Sequence, residues 1–264
     1  MNIFLRELRA NFKSLLIWCG IVILFNAVGF SKFSAFYENP ELLAILDTMP
    51  PAVLSAFNLN AFNLTSVTGF FAVMIVYIGL IIAIAAAMWG SDIISKEERD
   101  RTVEYSLTLP VARSRLVTAK IAAAAFNCLV LLLVTWGSTL VFARAYNPDA
   151  QFSKFVAVTM LSFLLVQLIF LALGIFLGCA MKQHKRAGSL AVSILLVTYI
   201  ASVLAGMSKD LDFLKYFSPF KYFEASTLLR DLQLEPLFVG LSLAVIAVLL
   251  VGAYFTYSKR DLYI

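Results

Sequence analysis

Six stretches of this chain contain no Asp, Glu, Lys, Arg or His: 14–30, 69–89, 121–142, 155–180, 188–207 and 236–257. A helix rising about 1.5 Å per residue needs roughly 20 apolar residues to cross about 30 Å of hydrocarbon, and all six runs are of that order. In such a layer a helix satisfies its own backbone polar groups, so the runs predict six transmembrane helices and an all-α, polytopic membrane protein. The composition agrees, with 61% hydrophobic and 14% charged residues, against about 45–50% and about a quarter in soluble domains. Of 264 residues, six spans of roughly 20 leave no room for a large soluble domain besides the connections.

Charge placement sets the expected orientation. Fourteen of the 21 Lys and Arg residues fall on the side that holds segments 1–13, 90–120, 181–187 and 258–264; seven fall on the other. The positive-inside rule makes the richer side cytoplasmic, with both termini inside a multi-pass protein of the cell membrane. The net charge of +5 is thereby accounted for without a nucleic-acid partner. Segment 1–13 sets Phe4, Leu5, Leu8 and Phe12 on one helical face with Arg6, Arg9 and Lys13 elsewhere. This predicts an interfacial helix lying on the inner leaflet lipid before the chain turns into the first span. Outside, no charge occurs from Thr48 to Ser91, so the stretch 53–64 is expected against the outer leaflet. Segment 208–235 interleaves Phe213, Tyr216, Phe217, Phe220, Tyr222 and Phe223 with Lys215, Lys221 and Glu224, as an amphipathic or re-entrant piece at headgroup level would.

Several chemistries lack their residues. There is no GxxxxGK[ST] phosphate loop, so the chain is not expected to hydrolyse nucleotide or to hold a cofactor. His184, the single histidine, sits in a short basic loop, which leaves intramembrane Ser-His or His-metal catalysis without a base or ligand. Cys19, Cys128 and Cys179 each lie inside an apolar run with no CxxC spacing and read as packing residues. The spans contain no ionisable group of the kind ion-coupled carriers use. Asn26, Asn127 and Gln167 are their strongest polar groups, candidates to line a polar path or to bond between helices. Gly174 and Gly178 have the small-xxx-small spacing of closely packed helices.

The segment 90–120, GSDIISKEERDRTVEYSLTLPVARSRLVTAK, is the longest inner loop and the most highly charged stretch. From Asp92 to Arg101 both signs recur at i, i+3 and i+4, so the second span is expected to continue into the cytoplasm as a solvated helix. Thr102 then caps a short helix carrying Val103, Tyr105 and Leu107, and Pro110 ends it. A short surface helix held between two spans has the shape of a docking element.

At these residues the chain resembles the permease subunits of type-2 ATP-binding-cassette (ABC) exporters, the fold also called type V. Glu97 and Glu98 match an acidic run, Thr102 and Glu104 a Thr-x-Glu, Leu109 and Pro110 an apolar-proline step, and Arg113 and Lys120 the basic positions. Arg101 stands where Gly is usual, and Tyr105-Ser106 where Leu-Leu is usual. The layout of six spans, both ends inside and a Ser-Pro-Phe-Lys-Tyr-Phe stretch before the last span is similar throughout. The resemblance implies that the loop is a coupling helix seated on an ATPase subunit through Glu97, Glu98, Thr102, Glu104, Tyr105, Leu107, Pro110 and Arg113. It further implies two copies of a separate ABC ATPase that binds ATP and Mg, and a second permease copy or paralogue. Small exporters of this family that carry toxin or antimicrobial peptides, including phenol-soluble modulins, look similar in size and layout. The expected function is therefore export of amphipathic or hydrophobic peptides, or immunity to them. Lipid, drug or ion export, and a sensor or assembly partner of the same fold, are the alternatives.

Overall fold

The structure, a computed structural model, describes residues 3–37, 62–99, 113–181, 184–207 and 209–259. Among the described residues there is no strand, and six helices are long and apolar enough to cross a membrane. They are α1 (Ile3–Phe33), α2 (Val67–Arg99), α3 (Arg113–Ala143), α4 (Phe152–Ala180), α5 (His184–Met207) and α8 (Pro236–Ser258). Two short helices, α6 (Pro219–Tyr222) and α7 (Ala225–Asp231), precede the last. Each apolar run of the sequence lies within, or almost within, one long helix. The helices overrun their runs most where charges begin: α2 has 33 residues, about 50 Å of helix, well beyond the hydrocarbon thickness.

The long helices alternate in direction. At one end Trp89 Nε1, late in α2, donates to Ser14 Oγ, early in α1, at 2.9 Å. At the same end Thr118 near the start of α3 shares a 2.7 Å hydrogen bond with Tyr254 near the end of α8. At the other end Tyr146 OH donates to Phe30 O at 2.8 Å. There, too, the Asp149 carboxylate accepts from Thr68 Oγ1 at 3.1 Å and from the Phe152 backbone N–H at 2.8 Å, tying the starts of α2 and α4. The first of these ends carries the start of α1 and the finish of α8 and is called the basic end below.

The core is built on α2 and α4, the two most buried spans. Small residues let their backbones meet: Ala83, Ala86 and Ala87 are fully buried, and a Cβ added to Gly90 or Gly174 would overlap the Leu171 or Ala87 carbonyl oxygen. A Cβ on Gly178 would lie 3.0 Å from Ser91 O. The Gly174 and Gly178 spacing thus serves close helix packing, with Gly90 as its counterpart on α2. Around this pair α1, α3, α5 and α8 form the periphery, with Leu24, Val197 and Val251 among their outward residues.

α1 shows the inside-out logic of a lipid-facing helix. Its buried positions are Glu7, Asn11, Leu15, Val22, Asn26, Phe30 and Phe33, whereas Leu16, Ile17, Leu24 and Val28 face outward. Polar atoms turn to the bundle because hydrocarbon offers them no partner. Residues 3–13 are the first three turns of this unbroken helix, which corrects the expectation of a separate interfacial helix followed by a turn. The reason is that Glu7 and Asn11 continue the same buried face at i, i+4 spacing and Lys96 of α2 holds Glu7. Of the four apolar residues expected together there, Phe4 and Leu8 are half-buried and Phe4 meets Phe126 edge-on at 6.2 Å, while Leu5 and Phe12 are exposed.

At the end opposite the basic one, the segment before α8 folds back on the bundle. Phe220 packs between Phe170 (5.3 Å) and Tyr199 (5.7 Å), and Ser218 Oγ donates to Thr198 O at 2.7 Å. Ala225 and Leu228 of α7 are buried, and α7 packs on α2 and α4. Tyr222 donates its hydroxyl to Tyr216 O at 2.7 Å, and burial raises the pKa of its phenol. The outer stretch 53–64 falls outside the described residues except for 62–64, where Phe62 and Leu64 are buried.

Candidate functional site

The charge-rich chemistry of the chain concentrates at the basic end. Glu7 is 1% exposed and pairs with Lys96 of α2 and, at 3.2 Å, with Arg6. Lys120, also 1% exposed, donates from Nζ to Ile93 O at 3.0 Å, so the start of α3 is fastened to the last turns of α2. With the Trp89–Ser14 bond, the end of α2 is tied to α1 on one side and α3 on the other. A carboxylate this deeply buried has lost its hydration, and only close, oppositely charged partners offset that loss.

These ties brace the termini of α2 and α3, between which the chain passes through 100–112. Of the residues expected to couple to an ATPase, Thr102, Glu104, Tyr105, Leu107 and Pro110 lie outside the described residues. Glu97 and Glu98 belong to the last turn of α2 and Arg113 opens α3, but their side chains are likewise outside the description. The structure therefore describes the frame of the loop, a braced helix end on either side.

Next to this frame a cleft of about 710 Å³ opens between α1, α2 and α5. Asn11 and Ser14 line it from α1, Ser91, Asp92 and Ser95 from α2, and Gly188, Ser189 and Ser193 from α5, with Met88, Trp89 and Val192 completing the wall. Its volume is in the range of small-molecule and side-chain binding pockets. Gly188 keeps it open, since a Cβ there would approach Ser91 Oγ to 3.2 Å.

The three polar candidates within the spans are all buried but are not gathered in one place. Asn26 Nδ2 donates to Ser138 Oγ at 2.7 Å and to Thr139 Oγ1 at 3.3 Å, an interhelical tie between α1 and α3. Asn127 in α3 keeps an Nδ2 with no hydrogen-bond partner among the described residues, and Gln167 in α4 has neither amide atom bonded. None of the three lines the cleft. The residues that do were legible only in part. Glu7, Asn11 and Ser14 stand at i, i+4 and i+7, a polar stripe on a helix whose remaining faces are apolar or basic. That stripe was the available signal for a buried polar face.

Among the described residues no group of three or more His, Cys, Asp or Glu residues could hold a metal ion. No curated protein matches the chain. The model of one family, described as ABC-2 family transporter protein, matches residues 1–262. Six membrane-length helices bundled on a glycine-packed pair, with a charged frame at one end and a match over nearly the full length, lead to one conclusion: the chain belongs to the ABC-2 transporter family and is a membrane permease component of an ABC transporter.

Proposed function

We propose that this permease exports amphipathic or hydrophobic peptides, as toxin export or immunity, across the cell membrane, with both termini cytoplasmic. Two copies of a separate ATPase subunit bind ATP and Mg and seat on the chain at 97–113. A second permease copy or a paralogue completes the pathway. When the ATPase pair closes, it moves the two loop segments, and the braced ends of α2 and α3 pass that displacement to the helices around the cleft. No covalent chemistry takes place in this chain.

The observation that carries this reading is the bracing of the loop frame. Glu7–Lys96 and Lys120–Ile93 O fix α1, α2 and α3 to one another immediately beside the segment an ATPase would push. A loose, solvated connection would have no need of two desolvated cations. The apolar walls of the spans suit cargo that leaves the lipid with its hydrophobic surface covered.

The test is co-purification with the cognate ATPase and peptide-stimulated ATP hydrolysis in reconstituted vesicles. Glu104→Arg is expected to abolish stimulation while the permease remains folded. Full stimulation in that variant removes the coupling assignment, and hydrolysis that responds to no amphipathic peptide removes the cargo.

A further inference from the structure

At the end opposite the basic one, two cavities lie side by side and share two wall residues. The inner cavity, about 90 Å³, lies among α2, α4, α5 and the stretch 219–225. Its wall is mainly apolar, with the rings of Tyr77, Phe163, Tyr199, Phe220 and Phe223 around Val166. The outer cavity, about 230 Å³, is bounded by Tyr216, Tyr222, Thr227, Glu235 and the start of α8. The residues common to both walls are Lys221 and Glu224, which are, among the described residues, the only charged groups lining the inner cavity. They are bonded to each other, with Lys221 Nζ 2.9 Å from Glu224 Oε1. An ion pair therefore stands where an apolar compartment borders a polar one.

This border is built to move. The Lys221 and Glu224 side chains are 17% and 33% exposed, so both can turn to water when they part, unlike the sealed Glu7 carboxylate. A part-exposed pair of this kind is weak. Glu224 precedes α7 but makes no side-chain capping bond to it, so its carboxylate is not committed to the helix. The Lys221 ammonium lies over Gly206 in the last turn of α5, where an added Cβ would stand 3.6 Å from Nζ.

The inner cavity also limits its occupant. A cavity of about 150 Å³ lined by apolar side chains holds benzene, so this one has room for a single branched aliphatic or ring-sized group, or for no more than the tip of an acyl chain. A peptide can bring such a group while its polar backbone stays among the polar groups of the outer cavity. We propose that the two compartments form one gated site for a single bulky apolar side chain of the transported peptide, with Lys221–Glu224 as the gate. The proposal rests on the peptide-transport reading above and adds to it a side-chain requirement.

The test uses the full chain with its ATPase in phosphatidylcholine nanodiscs. Val166→Cys reports on the inner cavity and Thr227→Cys on the outer one. Each is treated with membrane-impermeant methanethiosulfonates, one cationic and one anionic, and labelling of the native cysteines is subtracted. Glu224→Ala is expected to speed the reaction of Val166→Cys about fivefold with both reagents, the shift that losing a pair worth about 1 kcal/mol gives an open–closed equilibrium. Thr227→Cys is expected to react whether or not Glu224 is present. The exchanged pair, Lys221→Glu with Glu224→Lys, is expected to restore slow labelling of Val166→Cys. In the Glu224→Ala background, a 20-residue amphipathic peptide with leucines on its apolar face is expected to protect Val166→Cys. Its Kd should lie about tenfold below that of the same peptide with alanines, compared at equal disc-bound concentrations. Labelling unchanged by Glu224→Ala, acceleration with one reagent sign only, an exchanged pair that still labels fast, equal protection by both peptides, or equal protection by lysophosphatidylcholine overturns the proposal. ATP-driven uptake of the leucine peptide into proteoliposomes, alongside any of those results, preserves the transport reading, whereas no uptake of any peptide by wild type overturns both.

Discussion

Removing the Glu7 carboxylate isolates the contribution of the basic-end brace. Its side chain is 1% exposed, while Lys96 and Arg6 are 12% and 29% exposed. In Glu7→Gln both cations lose the Glu7 carboxylate. Arg6 turns to water readily, but Lys96 recovers hydration only as far as its stem can reach. Stranding one partner of a buried pair costs about 3–5 kcal/mol, and the partial escape of Lys96 places this variant near about 3 kcal/mol. For a chain of this size that corresponds to a fall in Tm of about 6–12 °C. Lys96→Met strands less charge, because Glu7 keeps Arg6 at 3.2 Å, and is expected to cost less than Glu7→Gln. The double variant Glu7→Gln/Lys96→Met leaves no stranded lysine and is expected to regain most of the loss, a coupling within the roughly 0.5–3 kcal/mol seen for residues in contact. Unfolding of all four proteins in one detergent, followed by tryptophan emission, measures the cycle. A Glu7→Gln protein within about 1 kcal/mol of wild type, or a double variant that loses the sum of the singles, refutes the account of a desolvated pair.

Other positions test the fold more locally. Gly174→Ala forces a methyl into the Ala87 carbonyl and is expected to cost about 1–3 kcal/mol, whereas Gly240→Ala, where a Cβ meets nothing within 4 Å, is expected to gain up to about 1 kcal/mol of helix propensity; their Tm values should move in opposite directions. Asn26→Leu breaks the ties to Ser138 and Thr139 and is expected to lower stability by about 0.6–1.7 kcal/mol while leaving peptide-stimulated ATP hydrolysis intact. A lost stimulation in a folded Asn26→Leu protein would instead put this residue in the pathway. Asp149→Ala removes the acceptor shared by Phe152 N–H and Thr68 Oγ1 and is expected to cost about 1–2 kcal/mol, read as faster amide exchange at the start of α4.

Much of the architecture is written in hydropathy. The spans are legible because a bilayer demands apolar length, and charges such as Lys32, Lys154 and Lys259 mark where it stops. Helix ends are less legible: α2 runs ten residues past Trp89, through mixed charges that favour a helix in water as much as a loop. The first turns of α1 misled for a related reason. Phe4, Leu5, Leu8 and Phe12 form an amphipathic pattern that suits a membrane surface, but Glu7 finds its partner 89 positions away, and no local periodicity reports such a pair. The cleft was invisible for the same reason, since Asn11, Asp92 and Ser193 come together only through the bundle. Gly174 and Gly178 announced a close contact, although their partner Gly90 emerged only from the packing.

That glycine contact also constrains how the molecule can move. Where Gly90 meets Gly174, α2 and α4 touch backbone to backbone, and there they cannot slide past each other by small steps, because intermediate positions collide. α2 and α4 therefore behave as a keel, and any working stroke must swing the outer helices about it. Spin labels paired across α2 and α4 should keep one distance through the ATP cycle, while labels on α1 and α5, which flank the gap beside Asp92, should report two.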